Sequence, residues 1–200
     1  MRKVVIALSV AILGGCSQEK DQPKSENVPP LEMPQNYSEN KSKNDGPFGF
    51  TMGAKLEQLS AIKPHDTQKN SQWLTNMAPG DAGDFDLFTL TITKINGLCS
   101  VDASATSVAN VKPILEALKA RLADKYGEIN SEIGRELPTS EGYRQGDFSY
   151  KFTWAPKKET NLEKIELAGS YINGNPYLTL KYKFVNYQDC MKEIASKPQI

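Results

Sequence analysis

Hydrophobic and polar positions divide the chain into three regimes: a short unbroken apolar run at the start, a long polar stretch, and, from Pro47 onward, segments with a regular period. In the last regime Met52, Leu56, Leu59 and Ile62 fall on one side of a short helix, with Gly53 as its N-cap and Pro64 as its stop. Residues 64–84 show no sustained period, and within that loop residues 72–76 read as a short edge strand. Residues 86–105 alternate on both sides of Asn96-Gly97, the preferred dipeptide of a type I′ hairpin. A two-residue turn there sets Ile95 opposite Leu98, Ile92 opposite Val101, Leu90 opposite Ala103 and Phe88 opposite Ala105. Thr93, Thr91 and Thr89 then face Ser100, Asp102 and Ser104 on the other side. The pattern predicts a sheet buried on one face, with Cys99 on that face.

Val111, Leu115, Leu118, Leu122 and Tyr126 repeat at helical spacing between an Asn110 cap and a Gly127 stop, which predicts an amphipathic helix lying across the hairpin's apolar face. Residues 128–147 read as a polar, glycine-containing connection. Phe148, Tyr150, Phe152 and Trp154, then Ile165 and Leu167, then Leu178, Leu180, Tyr182 and Phe184 alternate as a three-strand meander. Asn186 caps a closing helix in which Tyr187, Cys190, Met191 and Ile194 share a face, bringing Cys190 over the face that carries Cys99. The expectation is a single α+β domain over 47–200. Its order is α-β-β-α-β-β-β-α, an antiparallel sheet of about five strands with helices packed on one face.

The first regime changes what the rest means. Arg2 and Lys3 precede an apolar run of about half the length of the roughly 20 residues needed to span a bilayer, so it reads as a secretory signal and not as a membrane span. Leu13-Gly14-Gly15-Cys16 ends that run and resembles the lipobox of bacterial lipoproteins. The resemblance implies that residues 1–15 are removed and that the Cys16 thiol is acylated, palmitate included. The acyl chains then hold the protein on a membrane. Each buried acyl methylene contributes about 0.8 kcal/mol, so two or three chains make the attachment in effect permanent. Ser17 in place of Asp implies the outer membrane, with the domain in the periplasm. An ordinary secretory signal with a coincidental cysteine is the alternative.

Residues 16–46 are rich in charged and amide side chains, with Pro23, Pro29, Pro30 and Pro34, and bury too little to offset their ordering entropy. They read as a disordered tether of about 30 Å root-mean-square span, and at most about 100 Å when stretched. With Cys16 assigned to lipid, Cys99 and Cys190 are left in a compartment where disulfides persist, and a disulfide between them is expected. Two separately buried thiols are the alternative.

Lys plus Arg and Asp plus Glu both number 24, and no basic block or stripe is present, which excludes a nucleic-acid binder as the expected class. The Phe48-Gly49-Phe50 to Leu56 segment, Gly97-Leu98-Cys99, Lys125-Tyr126-Gly127 and the strand from Leu178 to Tyr182 together resemble a group of small bacterial envelope proteins. The layout is similar to beta-lactamase-inhibitor-protein and SmpA/OmlA modules. That resemblance implies protein binding.

Candidate chemistry is sparse. His65 is the only histidine, so neither a His/Cys zinc site nor a Ser-His-Asp arrangement has its parts beyond a loop imidazole. Asp81, Asp84 and Asp86 superficially resemble a calcium loop but lack an EF-hand's ligand order and terminal bidentate Glu. Glu136, Glu141 and Asp147 could supply the acid and base of a glycan hydrolase, and the Phe148 to Trp154 aromatics a sugar platform, although strand alternation favours a core role. The sequence therefore points to a non-catalytic, lipid-anchored protein-binding module without metal or cofactor, with an inhibitor or immunity type as its sharpest version. A wall-acting hydrolase and an outer-membrane assembly subunit are the competing readings.

Overall fold

The structure, a computed structural model, describes residues 46–67, 71–156 and 160–196; the leader, Cys16 and the tether up to residue 45 lie outside the described residues. Eight strands form one sheet: β1 (His65–Asp66), β2 (Gln72–Thr75), β3 (Leu87–Thr93), β4 (Gly97–Ser104), β5 (Ser131–Glu136), β6 (Phe148–Trp154), β7 (Leu162–Ile172) and β8 (Asn175–Phe184). Their order is β1-β2-β3-β4-β8-β7-β6-β5, and every neighbouring pair is antiparallel. Two α-helices accompany it, α1 (Val111–Tyr126) and α2 (Tyr187–Ala195), with short 3-10 turns at Pro47–Gly49, Leu56–Ile62 and Thr139–Glu141.

This overturns the expected sheet of about five strands in the order α-β-β-α-β-β-β-α, and each departure has a local cause. The first helix is 3-10, not α. Leu56, Leu59 and Ile62 are spaced by three residues, the 3-10 repeat, and Lys63 N–H donates to the Ser60 carbonyl at 3.1 Å. β5 was expected as loop because Ile133 is its only large apolar residue and is 66% exposed. Its core-side positions are Glu132 and Glu136, which reach lysines on α1, so no apolar alternation marks the strand. β1 has two residues and pairs only with β2, too short for any period to register.

The β3–β4 hairpin also differs in register. Thr93 pairs with Gly97 and Ile92 with Leu98, but Thr91 pairs with Ser100, which leaves Cys99 as an additional residue on β4. The turn is thus three residues, 94–96. Gly97 takes φ +67, whereas a type I′ turn requires positive φ at Asn96 as well, which is absent there. The bulge keeps Phe88, Leu90, Ile92, Leu98, Val101 and Ala103 on one face and turns Cys99 to the other, beside Ser100.

The two helices therefore lie on opposite faces, not on one. α1 covers the face that carries Val101, Leu180, Leu167 and Phe152, burying Val111, Leu115, Leu118 and Leu122 against β7 and β8. Gly169 on β7 makes that approach close, because a Cβ there would lie 2.8 Å from Leu115 Cδ1. Phe48, Phe85, Phe88 and Tyr182 close the end of this core, with Phe48 edge-on to the other three rings at 5.3 to 5.8 Å. α2 sits on the opposite face, over β3 and β4, with the Tyr187 ring under Lys183 of β8.

Candidate functional site

The face opposite α1 is polar and, beyond α2, uncovered by any described helix. Strand alternation places Ile133 and Arg135 of β5, Lys151 and Thr153 of β6, Lys164, Glu166 and Ala168 of β7, Tyr177, Lys181 and Lys183 of β8, and Asp102 of β4 on it. Lysines outnumber acids at its centre. Glu166 accepts from Lys164 at 2.5 Å with Lys151 at 3.6 Å, and Asp102 pairs with Lys181 at 2.9 Å. Partial burial pushes the Glu166 carboxyl up, but Lys164, Lys151 and Lys183 outweigh it and hold the group below its ordinary range. Burial opposes the charge on Lys181, and the Asp102 hydrogen bond more than restores it, raising the ammonium's pKa. Ile133 stands 66% exposed opposite Lys151, and Tyr177 stands 53% exposed further along β8, opposite Ser170. A flat array at strand spacing, with apolar groups between charged ones, is suited to broad contact and holds no convergent acid, base and nucleophile.

Cys99 and Cys190 sit at disulfide distance and are both fully buried. The expected pair is met, but under α2 on the face opposite the main core, because the bulge turns Cys99 there. Thr93 Oγ1 lies 3.5 Å from the Cys190 sulfur. One turn later in α2, Glu193 accepts hydrogen bonds from Ile95 N–H at 3.0 Å and from Asn96 Nδ2 at 3.0 Å. Desolvation would raise its carboxyl, but bonds from Thr93, Ile95 and Asn96 prevail and bring it down to about 2. The α2 helix is thus fastened to the β3–β4 hairpin by the cysteine pair and by Glu193, and its N-cap residue Asn186 donates from Nδ2 to the Asn96 and Leu98 carbonyls at 3.0 and 3.2 Å.

The acids singled out in sequence do not converge. Glu136 pairs with Lys112 of α1 at 2.5 Å on the core side of β5, whereas Glu141 pairs with Arg135 at 2.6 Å from the open side. Asp147 is 1% exposed, and its Oδ2 accepts from the backbone N–H groups of Arg144 and Asn173, both at 3.0 Å, clamping the 142–147 loop to the β7–β8 turn. Asp81 accepts from Gly83 N–H, and Asp86 accepts from the Thr106 N–H and hydroxyl, bonds that hold its carboxyl below the ordinary range. No group of three or more metal-ligating side chains occurs among the described residues. His65 is exposed on β1, paired with Leu74. The Phe148 to Trp154 aromatics lie under α1, with Lys119 Nζ 4.3 Å over the Phe152 ring, and are core.

Sequence reasoning missed a cavity of about 220 Å³ between the C-terminal half of α1, the 81–85 loop and β8. Its floor includes Phe48, Phe85, Leu122 and Tyr182; its lips are Arg121 and Lys125 on one side and Asp81 and Asp84 on the other. The signal was split between a helix face and a distant loop, which no local period connects. No described helix is long and apolar enough to cross a membrane. Comparison of the chain with protein-family models, characterised proteins and solved structures finds no match in any of the three.

Proposed function

We propose that this protein is a non-catalytic binding module of the bacterial envelope, tethered by lipid on Cys16 and presenting the open face of its sheet to another protein. The observation that carries the reading is that face: Ile133 exposed opposite Lys151, Tyr177 exposed further along β8, and Lys151, Lys164 and Lys181 between the strands' ends, with no described helix over them. Exposed apolar groups within a polar rim are what a protein interface requires. The leader ending in Leu13-Gly14-Gly15-Cys16 supports the tether and an outer-membrane, periplasm-facing location. An inhibitor or immunity role is the sharpest version of the reading. Glu136, Glu141 and Asp147 are each engaged in a separate local contact, which supports the binding reading over the hydrolase alternative.

Site-specific photo-crosslinking in the native envelope tests this. A photoreactive side chain at Lys151 or Tyr177 should give one discrete protein adduct, and one at Glu116 or Asp124, exposed on the outer side of α1, should give none. Adducts absent from the open face, or the same from both faces, would overturn the binding reading. Intact mass of the membrane-extracted chain tests the tether separately, because only acylation at Cys16 adds fatty-acyl mass after loss of residues 1–15.

A further inference from the structure

The cavity beneath α1 is independent of the open sheet face and on the other side of the sheet. At about 220 Å³ it is below the usual range for drug-sized ligands and holds about seven waters' worth of space. Its occupant is therefore small. Aromatic and aliphatic side chains make the floor, which favours an apolar body.

Two features say more about the occupant. Tyr182 is 5% exposed and lines the cavity, yet its hydroxyl makes no hydrogen bond to any described residue. That hydroxyl is not among the fully enclosed polar atoms that lack a partner, so it opens onto the cavity, where an acceptor that enters can pair with it. Burial, with the neighbouring Tyr126, raises its pKa, so it stays a neutral donor. The lips, moreover, carry opposite charges. Arg121 and Lys125 project from one turn of α1, and Asp81 and Asp84 from the facing loop, and no ion pair joins the two sides. Charges held apart across an apolar floor match a molecule that carries both signs at its own polar end.

We infer that the cavity between α1, the 81–85 loop and β8 binds a small zwitterion with an apolar side chain, an apolar α-amino acid. The side chain lies on Phe48, Phe85 and Leu122. The carboxylate meets Arg121 and Lys125 and takes the Tyr182 hydroxyl as a donor, and the ammonium meets Asp81 and Asp84.

The test is a nuclear magnetic resonance titration of the full chain with leucine and phenylalanine, then with their N-acetyl and C-amide forms. Saturable shifts confined to amides of α1 and the 81–85 loop are expected. Blocking either end should weaken binding at least tenfold. Arg121→Gln and Asp84→Asn, both at exposed positions that leave the fold intact, should each weaken it about tenfold. Tyr182→Phe, which keeps the ring in place, should weaken it several-fold. No saturable shift, or blocked forms binding as well as the free amino acids, would overturn the assignment.

Discussion

Glu193 of α2 reaches the β3–β4 turn and accepts the side-chain amide of Asn96 at 3.0 Å, while the backbone N–H groups of Ile95 and Asn96 point at the same carboxylate. Three N–H donors converging on one anion form a small nest, and the helix that supplies the anion is already tied to β4 through Cys190. Glu193 therefore fixes the rotation of α2 about the cysteine pair, and the turn in turn holds the carboxylate ionised.

That carboxyl has a folded-state pKa of about 2 against an ordinary 4.5, so its contribution to stability is complete above about pH 5 and is lost as the pH falls towards 2. The site is solvent-accessible and screened, which keeps the contribution to about 1 kcal/mol. Thermal melts of the wild type and Glu193→Gln should differ at pH 7 and converge near pH 2. A gap as large at pH 2 as at pH 7 would show that the substitution acts through something other than the charge.

Much of the fold was legible because most elements carry a strong period. α1 announces itself through Val111, Leu115, Leu118 and Leu122, and its bounds match the Asn110 and Gly127 signals. The β6–β7–β8 meander follows its apolar alternation. What escaped was structure in which apolar periodicity is not the organising force. β5 is an edge strand that reaches α1 through Glu132–Lys119 and Glu136–Lys112 ion pairs, so its core side reads as polar. In the hairpin, a three-residue turn and a bulge at Cys99 replace the register that Asn96-Gly97 predicts, and the apolar alternation carries no mark of the additional residue. The cysteine pairing was legible from compartment logic, but the face was not, since one additional residue reverses it. The cavity lips come from segments about 40 residues apart and became neighbours only through the sheet order.

The Cys99–Cys190 pair closes a sequence separation of 91 residues. In the chain-entropy account a loop of that size stabilises the folded state by about 4 to 5 kcal/mol. Replacing both cysteines with alanine should lower the unfolding free energy from urea titration by an amount of that order, and dithiothreitol should do the same to the wild type while leaving the double variant unchanged. Equal responses of both proteins to reductant would refute the assignment.

Gly97 permits two things at once, its φ of +67 and the passage of the chain at Gly53, whose carbonyl oxygen would lie 2.0 Å from a Cβ at residue 97. Backbone, not a flexible side chain, makes that contact. The same crossing carries the Gly53 N–H to Leu98 carbonyl and Leu98 N–H to Ala54 carbonyl bonds, at 2.9 Å each. Gly97→Ala should therefore destabilise by about 2 kcal/mol or more, from left-handed strain of 1 to 2 kcal/mol plus the displaced segment. Gly83→Ala offers the control: it has a positive φ of +56 but nothing within 4 Å, so it should cost only the conformational part. Chemical denaturation of the two variants side by side separates the terms.

Glu136, Glu141 and Asp147 look alike in sequence but differ in what they hold. Glu136 and Glu141 make surface ion pairs with Lys112 and Arg135, whose side chains are more than half exposed, and such pairs are typically worth 0 to 1 kcal/mol. Substituting either by Gln should shift stability by about 0.5 kcal/mol or less. Asp147 is buried and satisfies the N–H groups of Arg144 and Asn173, which no other described group accepts; Asp147→Ala would orphan both at a cost of about 1 to 3 kcal/mol each. Asp147→Asn keeps a carbonyl oxygen in place of Oδ2 and should recover about half of that loss. Urea unfolding of the four variants reads the ranking directly. Comparable losses at Glu136 and Asp147 would mean that the clamp between the 142–147 loop and the β7–β8 turn is not what the buried carboxylate provides.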